Sequence, residues 1–135
     1  MLKAGLAAYA AAAVVFCALD AVWLGWVASG WYRDQFGSLL LDPPRWSAAI
    51  AFYAVFLVGL VLFGVLPAMK SGTWTDALRW GALYGFFTYW TYDLTNLATL
   101  RGFPAGVVVA DVAWGVVLNT VAAGAGAWAA GKVAA

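Results

Sequence analysis

The chain has 135 residues, of which 66% are hydrophobic and only 10% charged, and its mean hydropathy is +0.89. An ordinary soluble domain, with about a quarter of its residues charged, is excluded, and seven Lys plus Arg against six Asp leave too small a charge for a nucleic-acid binder or a polybasic surface protein. There is no His and no Glu, and the single cysteine, Cys17, has no partner, so imidazole metal ligands, the usual general base and an internal disulfide are all missing.

A helix crossing the roughly 30 Å hydrocarbon core takes about 20 mostly apolar residues. Four stretches, about residues 3–28, 46–66, 74–100 and 104–130, meet that length and use nearly the whole chain. The expectation is one all-α domain over residues 1–135, an integral-membrane four-helix bundle with antiparallel up-down spans and short connections. The first stretch begins like a secretory signal, with Lys3 before an alanine-rich run. It continues through Trp23, Leu24, Trp26 and Val27 to a length that spans instead of being cleaved. The connection from Ser29 to Arg45 mixes Trp31, Tyr32 and Phe36 with Arg33, Asp34 and Gln35, a composition suited to a short amphipathic turn in the interface. Asp42 before Pro43 and Pro44 reads as a capped start for the second stretch, with proline in the first turn. Thr73 with Asp76 three residues on reads as a capping box for the third. Gly102-Phe103-Pro104 breaks the chain before the fourth, and so short a link makes the third and fourth stretches neighbours.

Lys3, Lys70, Arg79 and Lys132 share a side with both termini, whereas Arg33, Arg45 and Arg101 lie opposite, which puts both termini in the cytoplasm. Trp26, Trp31 and Trp46 fall near one interface and Trp74, Trp80 and Trp128 near the other, as an aromatic belt requires.

Asp34, Asp42 and Asp76 belong to connections and helix starts. Asp20, Asp93 and Asp111 lie within spans, where an ionised residue near the helix centre costs about 2.5 to 3.5 kcal/mol on insertion. They are therefore expected to face the bundle interior or a wet cavity. Counting 1.5 Å of rise per residue from the nearest span end puts all three roughly 10 to 13 Å below the same surface, so carboxyls from three helices share one layer.

Neighbours at helical spacing extend the cluster. Gly81, Gly85, Thr88, Tyr89, Tyr92, Asn96 and Thr99 recur at intervals of three and four on the third span, beside Asp93 and Thr95, and Gly81 with Gly85 forms a seam for close helix approach. On the fourth span Asp111, Gly115 and Asn119 share a stripe, with Trp114 three residues from Asp111. Trp23 accompanies Asp20 on the first. The second span contributes almost nothing polar beyond Tyr53 and reads as a wall. Arg101, just beyond Asp93, is the nearest candidate counter-charge, with snorkelling to headgroups as its alternative role.

The run Tyr92-Asp93-Leu94-Thr95-Asn96-Leu97-Ala98-Thr99, with Asp111-Val112-Ala113-Trp114-Gly115 after it and Asp20-Ala21-Val22-Trp23-Leu24-Gly25 before it, resembles an uncharacterised family of bacterial membrane proteins catalogued as domain of unknown function 2177. The resemblance covers essentially the full chain. It implies a small multi-pass protein of the bacterial inner membrane whose signature includes the same three aspartates, and it supplies no activity, substrate or cofactor.

Buried carboxyls sharing a site need compensation from protons, a metal ion or a cationic group. The leading expectation is binding or transport of a small solute coupled to protons or cations. Asp20, Asp93 and Asp111 would carry the exchangeable ion. Asn96, Thr95, Tyr92 and Asn119 would bond the solute, Trp23 and Trp114 would wall it, and a homodimer would complete the path. Alternatives are a lipid-modifying enzyme or accessory that holds a divalent cation through oxygen ligands, and a structural or assembly protein. No catalytic constellation is recognisable, and no cofactor is called for.

Overall fold

The structure, a computed structural model, describes all residues from Met1 to Ala135, which are helical apart from short links. Helix α1 spans Leu2–Val22 and continues as a π-helical turn, Trp23–Val27; α2 is Ser29–Phe36. Helix α3, Trp46–Leu60, runs through a second π turn, Val61–Val65, into α4, Leu66–Ser71. Helices α5, Asp76–Thr99, and α6, Ala105–Ala134, complete the chain. Three continuous rods are long and apolar enough to cross a membrane: Leu2–Val27, Trp46–Ser71 and Ala105–Ala134. The α5 rod has the length without the mean hydropathy, because Tyr, Trp and Thr residues alternate with its apolar ones and Asp93 and Asn96 lie within it.

Helix α6 is the centre of the packing. Its buried face includes Val107, Gly115, Leu118, Ala122 and Gly126, and α1 and α5 pack along it on either side. The α1 surface facing it is the four-spaced stripe Ala4, Ala8, Ala12, Phe16 and Asp20, all buried. Alanines at that spacing form a shallow ridge that lets the helices close up, and a Cβ on Gly126 would already meet the Ala8 carbonyl at 3.1 Å. The same stripe carries Asp20 inward.

The α5–α6 contact is closer still. A Cβ on Gly81 would stand 2.5 Å from the Asn119 carbonyl oxygen, and one on Gly85 would press on the Gly115 carbonyl, so the expected glycine seam is present and α6 is what fills it. Around this core the surface is apolar: Val14, Val55, Phe63, Phe87 and Val109 are all exposed.

Three local expectations are corrected. The second span does not stop at Leu66: Pro67 cannot donate to the Phe63 carbonyl and its ring crowds it, but the π turn just before absorbs the mismatch. That helix ends instead at Gly72, whose φ of 85° is the left-handed conformation that terminates helices. Pro43 and Pro44 lie in the irregular lead-in, and Arg45 is the residue before the first turn of α3. Thr73 and Asp76 form no capping box, because the Thr73 hydroxyl donates to the Asp76 carboxyl at 2.7 Å and neither side chain caps a backbone amide.

Candidate functional site

Below the loop that joins α5 to α6 and beside α2 lies an open cleft of about 1240 Å³, walled by α1, α2, α3, α5 and α6. Its position follows from the chain's breaks. The π turn after α1 and the non-helical Ala28 turn the chain into α2, whose Tyr32 points inward against Val107 while Trp31, Arg33, Asp34 and Gln35 face out. The expected amphipathic turn is thus a two-turn helix, and its apolar side covers the start of α6.

Asp20 and Asp111 line the cleft through different arms of one aromatic assembly. Asp20 is buried and accepts from two neutral donors, the Tyr53 hydroxyl at 2.5 Å and the Trp114 indole N–H at 3.1 Å. Asp111, half-buried, accepts at Oδ1 from the Tyr32 hydroxyl at 2.7 Å, and Tyr32 in turn accepts from the Trp23 indole N–H at 3.2 Å. The two indoles are stacked, with ring centroids 4.6 Å apart and planes 10° from parallel. One stacked pair therefore reaches both carboxyls, Trp114 directly and Trp23 through Tyr32. Burial raises the Tyr32 phenol above its ordinary value, despite the opposing Trp23 hydrogen bond, which keeps it a donor to Asp111.

Asp93 is different in kind. It is completely buried behind the cleft, and neither of its oxygens has a hydrogen-bond partner. The Asp111 carboxyl stands within hydrogen-bonding reach of it. Two ionised carboxyls are both acceptors and form no bond with each other, so this contact is satisfied only when a proton sits between them. Tyr89 stands between the two arms, within electrostatic reach of both Asp20 and Asp111, its ring lying over Gly115, where no Cβ blocks it.

The structure divides the sequence candidates. Asp20, Tyr92, Asn96, Asp111 and Trp114 line the cleft; Asp93 and Trp23 stand directly behind lining residues. Thr95 is exposed on α5, its hydroxyl bonds the Thr91 carbonyl, and it does not line the cleft. Asn119 is buried in the α5–α6 seam, donating to the Gly115 carbonyl at 2.7 Å, and its Oδ1 has no partner. Arg101 is exposed and pairs with no aspartate, and the only ion pair in the structure is Arg79 with Asp76 at 4.0 Å. The three aspartates do not converge as one ligand set, since Asp20 stands apart from the Asp93–Asp111 pair and no trio of acidic or thiol side chains is placed to hold a metal ion. Depth along the helices puts carboxyls in a layer, whereas rotation about each helix axis decides which of them meet.

Tyr32, Tyr53, Tyr89 and Phe56 line the cleft without having been singled out as site residues. Tyr53 carried a signal, being the lone polar side chain deep in its span. Tyr32 sits in a connection, where nothing in the sequence shows that it folds back on to α6. No curated protein and no solved structure matches the chain. Residues 5–128 match the family model described as "Predicted membrane protein (DUF2177)", and the chain belongs to that family.

Proposed function

We propose that this membrane protein is a four-span, up-down bundle that binds a small solute in the cleft in exchange for a proton held between Asp93 and Asp111. The observation that carries the reading is the unpartnered, fully buried Asp93 carboxyl set against Asp111, which itself opens on to the cleft. A buried charge with no donor and no counter-ion is costly, and one shared proton neutralises Asp93, leaves a single negative charge on the pair, and gives one of the two orphaned Asp93 oxygens a partner. Solute arriving at Asp111 competes for the carboxyl oxygen that holds this proton, and the released proton leaves through the open cleft.

Tyr32 from α2 and Tyr89 and Tyr92 from α5 stand within electrostatic reach of the pair, and Asp20 from α1, Arg33 from α2, Tyr53 from α3 and Asp42 from the link before α3 line the same cleft. None of them is a cation buried against the carboxyls, which leaves a proton or the solute itself as the compensating charge. The four-span arrangement is supported by α5, whose 24 residues extend about 36 Å and which packs lengthwise on α6.

The test is infrared spectroscopy of the reconstituted protein. Near neutral pH a protonated carboxylic-acid carbonyl band is expected, absent in Asp93→Asn and shifted in Asp111→Asn. A wild-type spectrum in which every carboxyl is ionised at that pH overturns the reading.

A further inference from the structure

The cleft's chemistry also narrows what it takes. Its lining holds three carboxyls, Asp20, Asp42 and Asp111, against one guanidinium, Arg33, which is exposed. A bare metal ion is a poor match, because the carboxyls do not converge into a coordination shell and the space is far larger than an ion needs. An anion would face the same carboxyls with only one exposed guanidinium to receive it.

The remaining lining is aromatic and aliphatic. Phe56 and Tyr89 meet with ring centroids 6.3 Å apart, Tyr53 and Trp114 stand beside Asp20, and Phe52 lies on the outer side of Phe56. Rings next to carboxyls favour a cation whose charge is spread over an apolar body, since the ring faces and the carboxyls attract the same charge. The rim agrees: Leu24, Leu39, Leu40 and Leu41 line the cleft and are exposed, presenting an apolar entrance.

We propose that the cleft binds a lipophilic organic cation, its charge between Asp111 and Asp20 and its apolar body against Tyr53, Phe56, Tyr89 and Trp114. This rests on the proton-exchange reading above, and charge balances across it: one monovalent cation enters as one proton leaves the Asp93–Asp111 pair. Binding therefore weakens as pH falls, by up to about tenfold per pH unit while the pair is protonated.

The probe is tetraphenylphosphonium, with tetraphenylborate as its counterpart of like shape and opposite charge, both measured by equilibrium dialysis against the full chain in lipid nanodiscs. Saturable phosphonium binding that is weaker at low pH is expected, with no saturable borate binding. Asp111→Asn should weaken it at least tenfold. Phe56→Leu, which keeps apolar bulk and leaves the carboxyls in place, should weaken it several-fold and serves if the aspartate variant fails to fold. Equal binding of both probes, or phosphonium binding unchanged in Phe56→Leu, overturns the assignment. Absence of phosphonium binding while the Asp93 carbonyl band persists overturns the cation alone, whereas loss of that band removes the proton-exchange reading beneath it.

Discussion

Asp20 and Asp93 are both buried within helices, yet their surroundings differ. Asp20 has a neutral donor on each oxygen, from Tyr53 and Trp114, so its polar needs are met by the protein. Asp93 has none, and its only near partner is another acid. The first environment suits a fixed structural acceptor and the second a group that gains and loses something. Tyr32 ties Asp111 to the indole pair, and burial holds its phenol in the neutral form. With tyrosine labelled at Cζ and the Tyr32 resonance assigned from Tyr32→Phe, that resonance should keep its neutral-phenol position beyond about pH 10, where an ordinary phenol ionises. A midpoint at the ordinary value would mean that Tyr32 is exposed to water and does not cover Asp111.

At the scale of elements, closeness of helices decides the site's shape. The glycine seam draws α5 on to α6, and the open Cα of Gly115 gives the Tyr89 ring its place beside the cleft. Gly85→Ala and Gly115→Ala should each lower stability by about 1–3 kcal/mol through overpacking, because what the new methyl meets is a backbone carbonyl at Gly85 and a whole ring at Gly115. Gly5→Ala is the control: nothing lies within 4 Å of its added Cβ, and better helix propensity should leave stability unchanged or raised by up to about 1 kcal/mol. Thermal unfolding of the three variants in one detergent checks the contrast, and equal melting temperatures would remove the seam as the device that sets the α5–α6 distance. The π turns matter at this scale too. One lets α3 pass Pro67 without ending, and the other follows Asp20 and redirects the chain so that α2 can cover α6.

For the whole molecule, the apolar exterior and three long apolar rods make this a membrane protein, and the standing of α5 is what topology must settle. In a cysteine-free background made by Cys17→Ser, Lys70→Cys and Arg101→Cys flank α5 on either end, and both positions are exposed. If α5 crosses the bilayer, an impermeant maleimide should label one variant only in right-side-out vesicles and the other only in inverted ones, with Ser38→Cys following Arg101→Cys. Labelling of Lys70→Cys and Arg101→Cys from the same face would reduce the protein to three spans. Composition alone was enough to read a helical membrane chain, because apolar length has few other uses, whereas helix rise set only the expectation that Asp20, Asp93 and Asp111 lie at a similar depth. The Gly81–Gly85 seam was legible for the same reason, spacing along one helix. What one-dimensional spacing does not hold is the rotation of each helix about its axis and the path of a connection between breaks. Those depend on how side chains from distant segments fit together, and so it took the packed helices to separate Asp20 from the Asp93–Asp111 pair, to send Thr95 outward, and to fold Tyr32 back on to Asp111 as its donor.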